Sequence, residues 1–369
     1  MKTFSDRLLT FAGGEQFTGP YLKFRDYWNH YLALNVQDKK VDYQQLHKDG
    51  STYTFDEKEK SMNNALKGEI LRMANITNFD SFPVEQWVTN PMLAWATFAV
   101  INQMVDMILP DSLVDSIGLY TDIRVGDWGD SFSFEVKPRD LFVVSQTGRA
   151  LRQGEVHKQF DGQVTLSPIM RQLTVQVSLY KVLAGKESLA EFVAKVIRSI
   201  ESEMTRDAYV TFNTAMTNLT TTGDAKLKYA GYSQPDLISL AQKVSAWNGG
   251  NKAVVIGTPV ALLSVLPQDA NYRYDLINSE YIKIGYVPNM AGFDIMAIPQ
   301  VADYATPFKL LLDDTRLYVV SPSANKILKL ALEGSTMSNV DSTFQNANLT
   351  QNATVSKSWA SGVATNAIN

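Results

Sequence analysis

The stretch KESLAEFVAKVIRSIESEMTRDAYVTFNTAM, Lys186 to Met216, contains no Gly and no Pro. Leu189, Phe192, Val193, Val196, Ile197, Ile200, Met204 and Ala208 recur along it in a three-and-four rhythm, which places them on one face of an α-helix. Glu187, Glu191, Lys195, Arg198, Ser202, Glu203 and Arg206 fall on the other side. The pattern predicts a helix over residues 186–216, about 45 Å long at about 1.5 Å per residue. An average globular helix has only about 11–12 residues. Such a helix suits either the core of an α+β enzyme or the spine of an extended subunit.

Composition narrows the choice. The chain has 369 residues, 45% hydrophobic and 20% charged, which is an ordinary globular balance. Its length allows two or three domains or one extended subunit. A net charge of −4 without a basic block argues against a dedicated nucleic-acid groove, which needs clustered Lys and Arg. A weakly acidic chain can still enclose nucleic acid without gripping it. The absence of Cys excludes disulfides, thiolate nucleophiles and Cys-based zinc sites. Asp6 and Arg7 interrupt any apolar core at the start, so the first residues do not read as a signal peptide. PMLAWATFAVINQMVDMILP, Pro91 to Pro110, carries Asn102, Gln103 and Asp106. It reads as a buried helix ending at Pro110, too short and too polar to span a membrane.

The first eighty residues are polar, with Phe17, Tyr21, Phe24, Tyr27, Trp28 and Tyr31 close together, and a helix is expected from about Asp56 to Ala74. From Ile117 the period changes to two. SFSFEVK (Ser131–Lys137) and QLTVQVSLY (Gln172–Tyr180) both alternate as half-buried strands. Between them, TGRALRQGEVHKQFDGQ forms a long polar tip, Thr147 to Gln163. A structureless segment of that length usually serves a function or a partner. Residues 235–320 read as a compact α/β unit. PDLISLAQKVSAW is a helix stopped by Asn248-Gly249-Gly250, and KAVVIG is a buried strand. Thr258-Pro259 caps a short helix, and GYV, GFDIMA, KLLLDD and RLYVVS are short strands. ILKLALEG and NATVSKSWASGVATN return the chain to strands.

Signs of catalysis are missing. HExxH, GxSxG, GxGxxG and a phosphate-binding GxxxxGK[ST] do not occur. His30, His47 and His157 have no metal-ligand spacing. Asp313-Asp314 reads as a turn, and Asp122, Asp127 and Asp130 lack the terminal Glu of a calcium loop. Glu201 and Glu203 point from different faces of the helix, so they are not an acid/base pair. Lys158 is expected to be a solvated lysine rather than a cross-linking one. No catalytic, cofactor or metal residue is assigned.

The order of parts resembles that of the major capsid proteins of tailed bacteriophages, the Hong Kong 97-type (HK-97-like) fold. The resemblance is carried by the 186–216 stretch, by VVIGTPVALLSVLPQDANYRYD and by GYVPNMAGFDIMAIPQV. It implies an α+β subunit with an N-terminal arm (1–90), the first part of a peripheral domain (91–125) and an extended β-hairpin loop (126–174). The peripheral domain then continues with its spine helix (175–232). An axial α/β domain (233–325) and closing peripheral strands (326–369) complete the chain. It also implies inter-subunit contacts through Arg149, Arg152, Glu155, Lys158 and Asp161 on the tip, and through Phe17, Tyr21 and Trp28 on the arm. The implied partners are further copies, as hexamers and pentamers of an icosahedral head. Scaffold, portal and decoration proteins and packaged double-stranded DNA bound without sequence preference are implied as well. No membrane and no cofactor are. The head would be assembled in the host cytoplasm and would reside in the virion. An encapsulin-like compartment shell and a soluble α/β enzyme with a hairpin insertion are the alternatives.

Overall fold

The computed structural model of the chain describes residues 18–35, 53–76, 90–117, 120–136, 162–177, 181, 186–219, 221–223, 226–265, 285–298, 300–303, 306, 308–321, 326–340 and 351–364. The fold is α+β. Three helices come first: α1 (Thr18–Asn35), α2 (Phe55–Met73) and α3 (Pro91–Ile117). Four strands follow: β1 (Thr121–Gly126), β2 (Phe132–Val136), β3 (Gly162–Leu166) and β4 (Ile169–Val177). The long helix α4 (Leu189–Thr217) leads to a second unit of α5 (Gln234–Trp247), β5 (Val254–Gly257), α6 (Pro259–Leu262), β6 (Asn289–Met290), β7 (Phe293–Ala297) and β8 (Leu317–Val320). Strands β9 (Leu328–Val340) and β10 (Gln351–Val363) return to the first unit.

Helix α4 starts where its sequence permits. Ser188 Oγ accepts the Glu191 N–H at 3.3 Å, an N-cap that satisfies a donor left over in the first turn. Asn63 of α2 reaches across, accepting the Ala190 N–H at 3.0 Å and donating to Ser188 Oγ at 3.1 Å. The stripe is buried as its spacing predicts: Leu189, Val193, Val196, Ile197, Ile200, Met204 and Ala208 are all inside, and Phe192 is half-buried against them. They pack with α1, α2, α3 and the inner face of a four-stranded sheet into one core.

That sheet has the order β1-β9-β10-β4. β1 runs parallel to β9, β9 antiparallel to β10, and β10 antiparallel to β4. Its inward positions are Leu330 and Leu332 on β9 and Ala353, Val355 and Trp359 on β10. The second sheet, β6-β7-β5-β8, encloses a separate and smaller core of Val255, Leu262, Val265, Met290 and Ile295.

Five expectations need correction. Helix α3 runs through Pro110 to Ile117. Pro removes one backbone hydrogen bond, but burial of Leu109 and Leu113 on either side offsets the loss. Over Met92–Leu113 its length and composition do suffice to cross a membrane, yet 72% of that window is buried in the protein. The strand QLTVQVSLY does not pair with SFSFEVK. β4 pairs with β10 over Ile169–Val177, and the partner of β2 is β3, with Phe132 opposite Leu166 and Val136 opposite Gly162. In the second unit, GYV is a bend and KLLLDD is no strand, holding only a bridge from Leu310 to Ala302. The aromatic arm packs on its own subunit. Phe24, Tyr27, Trp28 and Tyr31 are buried in the first core, and Tyr27 stacks on Phe55 at 5.2 Å.

Ile200 lies mid-stripe and is 6% exposed. Ile200→Asp is expected to abolish soluble folding by placing a charge in that core, at a cost above about 4 kcal/mol. Thermal melting followed by circular dichroism checks this.

Candidate assembly surfaces

Where chemistry was sought, the side chains are engaged structurally. Asp122 pairs with the buried Lys329 of β9 at 3.3 Å, and Asp130 Oδ2 accepts the Asp127 N–H at 2.8 Å, which closes the turn before β2. Asp314 accepts from Gln300 Nε2 at 2.7 Å. His30 sits edge-on to Phe55, and burial lowers its pKa. His47 and His157 lie outside the described residues. Among the described residues no group of His, Asp and Glu is arranged to hold a metal ion.

The polar groups instead set how elements join. Along β10, Val355, Lys357 and Trp359 share the inward face. Lys357 is therefore buried, and its Nζ donates to Asp106 Oδ1 of α3 at 2.8 Å and to the Gly334 carbonyl at 2.6 Å. Asp106 also accepts the Thr336 N–H at 2.8 Å. The register makes room for this: Ser356 faces Met337 and Ser358 faces Glu333, so Gly334, Ser335 and Thr336 bulge opposite Lys357 alone. A second pin ties α4 to the sheet. Asp207 Oδ2 accepts Trp359 Nε1–H at 3.0 Å and pairs with Arg171 of β4 at 2.7 Å, and the Arg171 guanidinium lies over the Trp359 ring at 4.6 Å.

The far half of α4 carries the second unit through polar contacts. Tyr209 Oη accepts the Asp313 N–H at 2.8 Å, and Arg316 donates to Asn213 Oδ1 and to Thr217 Oγ1. Phe212 meets Tyr318 edge-on at 5.0 Å. Burial, with the Tyr209 hydroxyl beside it, pushes the Tyr318 phenol far up. The Thr315 hydroxyl, donating at 2.6 Å, holds Asp313 below the usual carboxylate range, aided by the Thr315 N–H and Arg316.

Several large apolar side chains stay exposed, and some of them are grouped. Met92 and Trp95 lie on the start of α3, and Ile169 and Met170 begin β4, the edge strand of the first sheet. Val260, Leu263, Phe308 and Leu310 lie on the second unit. Of the residues expected to touch neighbouring copies, Trp28 is 3% exposed within its own core and has no free face to offer, which corrects its assignment. Tyr21 lies in the first turn of α1, with its side chain outside the described part. Phe17, Arg149, Arg152, Glu155, Lys158 and Asp161 also lie outside the described residues. Sequence reading missed Lys357 and Asp106. The signal was a lysine in the inward register of NATVSKSWASGV, which requires an acid beside it, and an acid, Asp106, inside the apolar run from Pro91 to Pro110.

No family model matches the chain, and no curated protein does. Among solved structures it is similar to the capsid of a native GTA particle, at 13% identity over 68% of this chain and 86% of that one, with a TM-score of 0.44. It is similar to the capsid of cyanophage P-SCSP1u at 12% identity, 67% and 84% coverage and TM-score 0.43. It is also similar to the virus-like particle of Pyrococcus furiosus at 12% identity, 69% and 91% coverage and TM-score 0.39.

Two outcomes are expected here. Lys357→Met leaves Asp106 without its buried cation and should cost about 3 kcal/mol; adding Asp106→Asn should recover at least about 1 kcal/mol of it, measured by denaturant titration. Asp313 has a folded pKa below its unfolded value of about 3.9, so its contribution is present above about pH 4 and is lost as pH falls through the folded value. Asp313→Asn should therefore show a weaker acid-induced drop in melting temperature than the parent chain.

Proposed function

We propose that the chain is a structural subunit that assembles with further copies into a closed shell, as the major capsid protein of a tailed phage with a Hong Kong 97-type fold. One observation carries this reading. A single helix, α4, buries an apolar stripe in one core and holds a second, separate unit through polar side chains, while a two-stranded β2–β3 ladder sets off toward the 137–161 segment from the side of the first sheet. An enzyme fold typically gathers its elements around one cleft. Here two cores are strung along a spine, and large apolar side chains stay exposed on both units. Exposed apolar patches on a folded chain mark interaction surfaces.

In this reading the first unit is the peripheral domain, the second is the axial domain, and the 137–161 segment lies across an adjacent subunit. Arg149, Arg152, Glu155, Lys158 and Asp161 supply polar contacts there. Each contact is weak, and repetition over a closed surface makes the shell strong. The net charge of −4 suits a container for packed double-stranded DNA, because an acidic wall does not trap it. Scaffold, portal and decoration proteins would be its other partners, the virion its location and the host cytoplasm its place of assembly. No catalytic role is assigned.

Size-exclusion chromatography with negative-stain microscopy tests the reading. Hexamers, pentamers or large closed particles are expected, and a compact monomer at micromolar concentration overturns it. Deleting Arg149 to Asp161 should leave the melting temperature within a few degrees and abolish particles. Normal particles from that variant would show that the tip clasps nothing.

A further inference from the structure

Three neighbouring strands of the first sheet each present a glycine to the root of the β2–β3 hairpin. Gly126 ends β1, Gly334 lies in the bulge of β9, and Gly362 is near the end of β10. A Cβ on Gly126 would stand 2.9 Å from Phe132 Cζ, and one on Gly362 would stand 2.5 Å from Leu166 Cδ2. A Cβ on Gly334 would overlap the Trp128 ring itself. Trp128 belongs to the turn before β2, while Phe132 and Leu166 face each other at the base of the ladder. All three large side chains of the hairpin root thus rest on bare backbone.

We propose that Gly126, Gly334 and Gly362 form a socket that seats Trp128, Phe132 and Leu166 and so fixes the angle at which the hairpin leaves the sheet. The hairpin is joined to the sheet only by residues 127–131 and by Ser167-Pro168, and short linkers alone leave its direction open. A two-stranded ladder is also marginal by itself. Seating supplies what it lacks: Phe132 and Phe134 are buried against Ala331, with Leu166 packed beside them. Polar contacts hold the seat. Glu333 Oε1 accepts the Gly129 N–H and Glu333 Oε2 accepts the Ser358 hydroxyl, both at 2.9 Å, and Arg124 donates to the Ser133 carbonyl at 2.7 Å while lying over the Phe134 ring.

The three positions are not equal. Leu166 can swing its methyl aside, so a Cβ at Gly362 is the easiest to accommodate. Trp128 is a rigid double ring, and Gly334 also has φ +61°, which side chains other than glycine's disfavour. Gly334 is therefore the dominant positioning residue. The consequence for assembly rests on the shell reading, because hairpin angle decides which surface of a neighbour the tip meets.

Hydrogen–deuterium exchange with mass spectrometry, on the full-length chain kept below its assembly concentration, tests the socket apart from the shell. Gly334→Ala should speed exchange at least tenfold in 132–136 and 162–166 while leaving 189–217 unchanged; Gly362→Ala should change it less than threefold. Trp128→Ala, which removes a half-exposed ring and spares the backbone, should act in the same direction as Gly334→Ala. The double variant should exchange no faster than the faster single. Unchanged exchange in Trp128→Ala, or fully additive effects in the double variant, overturns the socket, and the Trp128 variant decides the matter if Gly334→Ala fails to fold. A parent chain that forms no particles overturns the shell reading alone.

Discussion

The burial of one helical stripe, Leu189 to Ala208, is the constraint on which the other elements depend. Side chains at that spacing on so long a helix need cover along roughly two-thirds of its length. Three N-terminal helices give it from one side and a four-stranded sheet from the other. The remaining length is left mostly to polar side chains, with Phe212 edge-on to Tyr318 among them, and a second domain attaches there. Interfaces of that kind between domains are weaker than a shared core and allow relative movement. The molecule is thus firm at one end of its spine and adjustable at the other.

Charge that is buried or half-buried reinforces the firm end in two places. Lys357 and Asp106 join α3 to the bulge of β9 and β10, and Asp207 joins α4 to Trp359 and Arg171. Neither group is cheap to bury, and a misplaced register would leave it without a partner. A one-residue slip of β10 would bring Lys357 to the outer face and Ser356 or Ser358 to the inner one. Each pair therefore opposes such a slip.

Periodicity made the elements legible and their partners illegible. The stripe of α4, the stop of α5 at Asn248-Gly249-Gly250, and the alternation of SFSFEVK and NATVSKSWASGV could all be read from residue order. Which strand lies beside β2 could not, because β3 begins in a polar stretch and is short. The fate of the aromatic arm was misjudged for a related reason: aromatics at helical spacing look alike whether they meet their own core or another chain. Among the candidate contact residues only Trp28 has a described side chain, and it faces inward. The glycine seats were invisible, since a glycine in a strand signals close approach without saying to what.

The arrangement of the four-stranded sheet has a temporal side. Its outer strands, β1 and β4, emerge from the ribosome first, and the two strands between them follow only after α4 and the whole second unit. Until residues 351–363 are synthesised, β4 has no bonded neighbour within its sheet and the stripe of α4 lacks the cover that the sheet gives it. Long-range pairing of this kind folds slowly and late. A chain cut short before that point cannot complete the first core, because β4 would lack the strand it pairs with and Ala353, Val355 and Trp359 would be missing from the packing.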